Sequence, residues 1–277
     1  MDPIERKLIK RLKNSEPDSF TVFFERYSGK IYNLAFRMCG NREDADDIVQ
    51  ETFILAFLKM DAFREESSVY TWLYTIAKNL CLRRLENREK SHYSSLDKLL
   101  HKVLLHENQN VFSVVERQYY VNQVKDGCLL GLLKCLSFYQ RIAFILNILL
   151  DVKVRDISII LDKSEPATRM LIHHAKQNIR GFLCKNCSLY NSGNPCRCEN
   201  LINFSLQKGW IHKFEDGELH KIQITPLEIE REISDLKKVT LLYHSLEDRQ
   251  PSEKIIHIIK EKINKQESHI FNPKKVK

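Results

Sequence analysis

Apolar residues recur along this chain at intervals of three and four positions, the spacing that places them on one face of an α-helix. The pattern predicts helices near residues 17–39, 43–61, 68–90, 117–135, 138–150, 153–161 and 165–182. Weaker patterns predict further helices near 199–208, 226–243 and 251–265. Only eight Gly and seven Pro residues occur in 277 positions, which leaves few of the tight turns that join strands. The sequence therefore predicts an all-α protein.

Two polar stretches interrupt the helical pattern and predict how the chain is divided. Residues 91–116 are polar and irregular with one short apolar piece, which is typical of a linker. The second break, CKNCSLYNSGNPCRC at residues 184–198, brings Ser, Gly, Asn and Pro together. We therefore predict a first helical domain over 1–92, a linker over 93–118, a second helical domain over 119–183, and a cysteine-rich segment with a helical C-terminal extension over 184–277.

The charge balance favours a polyanionic partner. The chain has 44 Lys and Arg against 36 Asp and Glu, a net charge of +8 and a pI near 9.0. A merely soluble basic protein would have the same balance. No nucleophile–base arrangement and no Gly-rich phosphate loop occurs in the sequence, so we expect no enzymatic activity.

The placement of the cysteines and the length of the apolar runs indicate in which cellular compartment the protein is expected. Four cysteines stand singly inside helical patterns, and the other four are grouped at 184–198, unlike a secreted disulfide framework. The N-terminal MDPIERKLIKRLKN breaks each apolar run with charge, unlike a signal peptide. The longest apolar run, IAFILNILL, is too short to span a bilayer. We expect a cytoplasmic protein with no membrane partner.

The predicted helix near 43–61 has an acidic side. Its core positions in NREDADDIVQETFILAFLKM are Ala45, Ile48, Val49, Thr52, Phe53, Ala56 and Met60. The opposite side carries Asp46, Asp47, Gln50 and Glu51. Taken alone, these residues are most simply interpreted as a solvated acidic face. Ile54, Leu55 and Leu58 fall near the same side, as expected if the second half of the helix is buried between neighbours or docks on a partner.

The stretch YTWLYTIAKNLCLRR, residues 70–84, combines aromatic rings with fixed positive charge. A core stripe is formed by Leu73, Ile76, Ala77 and Leu80. We expect the outward positions to include Thr71, Trp72, Tyr74, Lys78, Asn79, Arg83 and Arg84. Exposed rings stack on unpaired bases, Asn hydrogen-bonds base edges and arginines bind phosphates, so this chemistry suits an unstacked nucleic-acid strand. The alternative is that Trp72 belongs to the core.

These residues carry a family resemblance. EDADDIVQETFILAF followed by FREESSVYTWLYTIAKNL resembles the core of bacterial sigma factors of the sigma-70 family, specifically the extracytoplasmic function (ECF) group. The resemblance implies that the first block binds the coiled coil of the largest polymerase subunit through Asp47, Gln50 and Glu51. It also implies that the second block melts the promoter's minus-ten element.

The resemblance assigns two sets of DNA contacts in the second block. The pocket for an extruded base would be bordered by Phe63, Arg64, Trp72, Tyr74 and Asn79. The flanking phosphates would be held by Lys78, Arg83, Arg84, Arg88 and Lys90. Flipping a base costs a few kcal/mol of unstacking, so the site must offer an equivalent stack.

A second motif predicts a helix-turn-helix. In VRDISIILDKSEPATRMLIHHAKQNIRGFL, one helix ends at Leu161, a DKS turn follows, Ser164 can cap the next helix and Pro166 is tolerated in its first turn. The sigma-factor resemblance continues here as a region-four-like domain over 119–183. It implies that Arg169, His173, His174 and Lys176 contact the upstream promoter element. Met170 and Leu171 stand where Ser and Arg are common in the family, and the His pair has a simpler interpretation as solvated surface.

The cysteine-rich segment predicts either a metal site or a redox site. Cys184 and Cys187 are spaced as C-x-x-C, and Cys196 and Cys198 as C-x-C, so four thiolates could hold a structural zinc ion. Neighbouring thiols could instead oxidise to a disulfide. Cys184 could also simply end the recognition helix, facing the core.

The sequence thus predicts a two-domain ECF-like sigma factor that binds core RNA polymerase and promoter DNA, with an anti-sigma factor as a further candidate partner and no required cofactor. Two alternatives stay open: a stand-alone helix-turn-helix regulator of duplex DNA, and a degenerate sigma-like protein that sequesters polymerase or a regulator. The extension carries an apolar stripe of Ile229, Ile233, Leu236, Val239, Leu242 and Leu246. It is either a helical hairpin with no further role or a built-in regulator that occludes polymerase or DNA surfaces.

Overall fold

The computed structural model describes residues 3–14, 16, 18–86, 98, 112–213 and 235–270, and it describes no side chain beyond residue 263. These residues form the helices α1 (Pro3–Lys13), α2 (Ser19–Cys39), α3 (Arg42–Leu58), α4 (Val69–Leu85), α5 (Val114–Lys134), α6 (Phe138–Phe144), α7 (Val154–Leu161), α8 (Glu165–Asn186), α9 (Ile202–Gln207), α10 (Asp235–His244) and α11 (Lys254–Ile270). Short 3-10 turns cover Met60–Ala62 and Cys198–Leu201, and a π turn covers Ile145–Leu149. Within the described ranges no strand forms, and the all-α prediction is confirmed.

Helix α1 is absent from the sequence prediction. Its apolar positions Leu8, Ile9 and Leu12 are buried, but only three residues mark that face between charged neighbours. The buried carboxylate of Glu5 completes the contact, because the Tyr27 hydroxyl donates to Glu5 Oε1 at 2.7 Å. The charged residues that argue against a signal peptide also interrupt the apolar pattern, so the sequence did not predict this short amphipathic helix.

Polar caps set the limits of the two central helices. Asn41 caps α3 by accepting the Asp44 N–H at 2.8 Å, and Ser68 caps α4 by accepting the Thr71 N–H at 3.1 Å. Gly40 ends α2 in the left-handed conformation, with φ of 79°, which a side chain would disfavour. The capping residues therefore determine where α3 and α4 start. The start of each helix in turn determines which of its residues face the core and which face solvent.

One compact unit comprises Met1–Arg88, Ile145–Arg169 and Asp248–Lys277. Helices α2, α3 and α4 pack on one another around buried aromatic rings, with Phe23 and Phe53 in edge contact at 5.6 Å. Helix α1 packs on α2, α7 packs on α4, and α11 packs on α3. The three-helix centre is thus covered by segments that are distant in sequence.

A second unit comprises Glu89–Phe144 and Met170–Glu247. A capping box between Ser113 and Glu116 starts α5, which packs against the turn Cys198–Leu201 and against α9. Tyr243 is buried and its hydroxyl donates to the Leu129 carbonyl at 2.9 Å. The buried positions Val239, Leu242 and Leu246 confirm this part of the predicted apolar stripe.

The two units do not follow the predicted boundaries at 92, 118 and 183, which stay predictions. Most of the linker over 93–118, Arg88, Lys90, Ile229 and Ile233 lie outside the described residues. No helix in the described part of the chain combines the length and apolar character needed to cross a membrane.

Candidate functional site

The acidic side of α3 is paired with the basic end of α4. Arg84 Nε donates to Asp44 Oδ1 at 2.6 Å, and the same guanidinium bonds Asp47. Arg83 reaches Glu51 at 3.4 Å. The hydrogen bond to Asp44 is the main reason that the pKa of Arg84 is raised. The predicted polymerase-binding carboxylates and the predicted phosphate-binding arginines therefore meet at one seam, which the sequence reasoning did not anticipate.

Gln50, the third predicted polymerase-binding residue, faces the C-terminal helix. Lys262 Nζ donates to Gln50 Oε1 at 2.6 Å. Asp46 lies one turn before Gln50 on the same line of α3, and the backbone of Ser252 lies within hydrogen-bonding reach of its carboxylate. We call residues 248–263, which make these contacts, the C-terminal strap.

The aromatic residues of α4 divide between surface and core. Trp72 is half-buried, and its ring lies against buried Phe63 with centroids 4.9 Å apart. Tyr74 is only 1% exposed, so the expectation that it projects outward is wrong. It stacks on Tyr70 at 5.9 Å, on the side of α4 that packs against α2. Burial raises the pKa of Tyr74, and its hydroxyl has no hydrogen-bond partner among the described residues.

Thr71 was also expected to project outward, and it is buried because its backbone and hydroxyl complete the Ser68 cap. Helical spacing identified one core stripe on α4, whereas the helix packs against α2, α3 and α7 and is buried on more than one side. The second buried line contains Thr71 and Tyr74, whose polar atoms made them resemble surface residues.

The remaining predicted base-pocket residues stay near the surface. Arg64 and Asn79 are exposed, and Asn79 lies two turns beyond Trp72 on the same side of α4. Lys78 is half-buried, and its pKa is lowered chiefly by burial, with Asp162 and Lys163 nearby. Trp72 and Asn79 thus remain available together, while Lys78 is partly covered.

The helix-turn-helix has the predicted local geometry. Asp162 ends α7 in the left-handed conformation with φ of 52°, and Ser164 Oγ accepts the Ala167 N–H at 3.3 Å. Arg169 is exposed and pairs with Glu165 at 2.7 Å. His173 and His174 are exposed, with their rings 5.9 Å apart. Lys176 is half-buried, and burial lowers its pKa.

The cysteine-rich loop is ordered by its backbone and by Asn194. The Ser188 N–H donates to the Cys196 carbonyl at 3.0 Å, and Asn194 Nδ2 donates to the carbonyls of Leu183, Cys184 and Cys187 at 3.2, 2.8 and 3.1 Å. This arrangement folds the loop back onto the end of α8.

The thiols of this loop do not group as the sequence predicted. Cys184 is exposed, while burial raises the pKa of Cys187, of Cys196 to about 11 and of Cys198 to about 12. Cys128 of α5 interacts electrostatically with the last three, and burial raises its pKa as well. The sequence reasoning treated Cys128 as a lone helical cysteine and missed it.

The donor set does not fit a metal ion as it stands. In the part of the chain that the structure describes, no three His, Cys, Asp or Glu side chains are arranged to hold one. Burial raises the pKa of Cys128 and of Cys198, which disfavours their thiolate forms. The zinc site at Cys184, Cys187, Cys196 and Cys198 stays a prediction.

Comparison with known proteins concerns the first unit. Residues 23–91 match the family model Sigma-70 region 2. The ECF RNA polymerase sigma factor SigW of Bacillus subtilis is 39% identical over 93 residues, 34% of this chain and 50% of that protein. The ECF RNA polymerase sigma-E factor of Haemophilus influenzae is 39% identical over 75 residues, 27% of this chain and 39% of that protein. The chain thus spans about half the length, or less, of these curated relatives.

A solved structure described as CnrH in complex with the cytosolic domain of CnrY aligns with a TM-score of 0.45 and 16% identity, over 65% of this chain and 97% of that one. The family-model match covers the helices that carry Asp47, Trp72 and Asn79. The predicted resemblance to ECF sigma factors is confirmed for this segment, in which residues 23–91, called the sigma-70 region 2 domain below, match that family model.

Proposed function

We propose that this protein is an ECF-type sigma factor that binds core RNA polymerase, directs it to promoter DNA and helps to open the minus-ten region. The observation that carries the proposal is the sigma-70 region 2 match over α2, α3 and α4. Asp47, Gln50 and Glu51, the proposed polymerase contacts, share one side of α3 by their helical spacing. The protein would act in the cytoplasm and perform no catalysis itself, since the polymerase supplies the chemistry.

In this mechanism α3 supplies the polymerase contact. Asp47 and Glu51 are exposed, so they can meet a basic surface of the polymerase while their ion pairs to Arg84 and Arg83 hold them in position. Such exposed pairs contribute little stability, about 0–1 kcal/mol, and can be rearranged on binding. Complementary charge would mainly set the specificity and rate of association.

Helix α4 supplies the strand-opening contact. The half-buried ring of Trp72 packs on Phe63 and can stack on an extruded base. The exposed Asn79 can hydrogen-bond the edge of that base. Arg64 is exposed and suited to a flanking phosphate. Tyr74 supports the helix from the core and contributes no direct base contact.

Helix α8 would read the upstream element through exposed Arg169, His173 and His174. Its exposed side also carries Met170, which is 51% exposed and offers no hydrogen bond to a base edge or phosphate. This apolar residue favours the second candidate function, a sigma-like protein that sequesters polymerase or a regulator. An anti-sigma factor remains a candidate partner in either case.

The proposal is tested by mixing the purified full chain with core RNA polymerase and measuring co-elution, then transcription from a genomic promoter library. The proposal expects association followed by promoter-dependent transcripts. Failure to associate would contradict it, and binding of duplex DNA without polymerase would favour a stand-alone regulator. Association without transcripts would favour the sequestering function.

A further inference from the structure

The C-terminal strap lies on the side of the sigma-70 region 2 domain that the proposed function assigns to the polymerase. Helix α11 packs against α3, and its Ile255, Ile259 and Ile263, spaced by four, are 4%, 0% and 5% exposed. A helix with every fourth residue buried is docked along its length. Together with Ser252, which precedes it, α11 covers a line on α3 that runs through Asp46 and Gln50.

Polar contacts hold the start of the strap against α2. The Asn33 side chain donates to the Arg249 carbonyl and accepts the Arg249 N–H, both at 2.9 Å. One turn further along α2, Arg37 pairs with Asp248 Oδ1 at 2.9 Å, and the Arg249 guanidinium lies 4.2 Å from the centre of the Phe36 ring. Asn33 and Arg37 are each 3% exposed, so these polar side chains are buried beneath the strap.

Two features indicate that this contact can open. The α2 groups under the strap are an amide and a guanidinium. Water can solvate both groups fully once the strap has left, so release leaves no polar group buried without a hydrogen-bond partner. The strap also covers Asp46, whose carboxylate Oδ1 is buried without a hydrogen-bond partner among the described residues. An incompletely paired carboxylate lowers the stability of the closed arrangement.

We propose that residues 248–263 are an autoinhibitory segment that occupies the polymerase-binding side of α3 and must leave before core RNA polymerase binds. The overlap is direct at Gln50, which cannot keep the Lys262 contact and meet the polymerase at once. The inference rests on the proposed function. When only a fraction of the protein is open, the apparent Kd for polymerase rises by the inverse of that fraction.

The test compares two adjacent substitutions in the full chain. Ile259→Asp places a charge at a fully buried position of the strap, whereas Ile258→Asp places the same charge at a neighbour that is 40% exposed. Hydrogen exchange without polymerase reports whether the strap is released and whether α2, α3 and α4 keep their protection. Binding of core polymerase is then measured by titration.

The proposal expects Ile259→Asp to expose the strap amides, leave α2, α3 and α4 protected, and lower the Kd for polymerase about tenfold if one molecule in ten is open in the unaltered chain. Ile258→Asp should change neither. In the unaltered chain, polymerase binding should itself expose the strap. Equal affinity of a released variant and the unaltered chain, or a strap that stays protected in the complex, would overturn the inference while leaving the sigma-factor proposal intact.

If no variant binds polymerase, the proposed function fails. If Ile259→Asp removes protection from α3 as well, Arg249→Ala with Lys262→Ala replaces it, because these residues hold the strap from the surface and fill no core position. The same rise in affinity is expected from the double variant, and its absence despite exposed strap amides would count against the inference.

Discussion

Trp72 and Tyr74 lie two positions apart on α4, yet Trp72 is half-buried at the surface and Tyr74 is buried in the core. The ring of Trp72 lies on Phe63, while Tyr74 is enclosed between α4 and α2. Both are aromatic and both occur in the stretch that suggested base stacking. Only the position of the neighbouring helices separates a ring that stays partly exposed from one that is fully buried.

Trp72→Ala and Asn79→Ala should impair strand opening more than polymerase recruitment. Stacking on an aromatic ring is worth about 1–3 kcal/mol per base, and that contact forms only after the base leaves the duplex. Permanganate reactivity of unpaired thymines should fall while binding to the promoter persists, and a pre-melted template should restore transcription.

Trp72→Phe keeps an aromatic ring and serves as the matched control, because it should retain most of the opening. If Trp72→Ala unfolds the domain by circular dichroism, the ring is a core residue and the assignment is wrong.

Cys184 should react with thiol reagents before the other cysteines of the cysteine-rich segment. Its side chain is exposed, whereas burial shields Cys187, Cys196 and Cys198 and raises their pKa, which lowers the fraction of reactive thiolate. Mass spectrometry during limited alkylation under native conditions measures the order, and Cys184→Ser should remove the fast phase.

The same samples, purified without chelator, should be examined for zinc. Protection of Cys184 together with one zinc per chain would contradict this prediction and support the four-cysteine site. Protection of Cys128 with the other three would instead assign the fourth ligand to α5.

At the scale of elements, α3 and α4 are joined through Arg84, which bonds a buried carboxylate at Asp44 and an exposed one at Asp47. Arg83, its neighbour, makes only the longer exposed pair to Glu51. The two adjacent arginines, which have the same predicted role, are therefore expected to contribute differently to the stability of the fold. Arg84 therefore links α3 and α4 through two carboxylates, whereas Arg83 links them through one.

Arg84→Ala should lower the free energy of unfolding by about 1–3 kcal/mol, because it leaves the Asp44 carboxylate without its charged partner. Arg83→Ala should change it by less than about 1 kcal/mol, as is usual for an exposed pair. Urea unfolding of the full-length variants measures both. Equal effects would show that the Asp44 contact adds nothing beyond an ordinary surface pair.

Most helix positions and the Ser164 cap were predicted because they depend on local sequence. Asn41 and Ser68 also cap helices that their neighbours form, and the sequence analysis did not name them. Helix α1 was not, since three apolar residues among charges give a weak signal. The burial of Tyr74 and the docking of the strap depend on contacts between distant segments. Ile54 gave a partial signal, because an apolar residue on an acidic helix side needs a cover.

At the scale of the whole molecule, the last part of the extension, Asp248–Lys277, belongs to the same compact unit as α2, α3 and α4 despite the separation in sequence. The predicted alternatives for the extension were a hairpin without further role and a regulator. The contacts of residues 248–263 with α2 and α3 support the second. Residues 248–263 would thus compete with RNA polymerase for the same side of α3.

Asp46→Asn should tighten the strap. Burial is the main cause of the raised pKa of Asp46, which means that the closed arrangement disfavours its charged form, and a neutral amide removes that cost. Hydrogen exchange of residues 255–263 without polymerase should slow. Asp47→Asn is the matched control, since Asp47 bonds Arg84 and should leave the exchange unchanged. Faster exchange in Asp46→Asn would mean that the carboxylate holds the strap.

The pairing of Arg37 with Asp248 joins residues 211 positions apart, and this separation orders events during synthesis. At about 5–20 residues per second, the ribosome finishes α2, α3 and α4 well before it reaches Asp248. The nascent three-helix bundle must therefore fold with Asn33 and Arg37 still in water. For that interval α3 would lie uncovered in every new molecule, and under the proposed function a polymerase near the translating ribosome would meet the protein before it has closed.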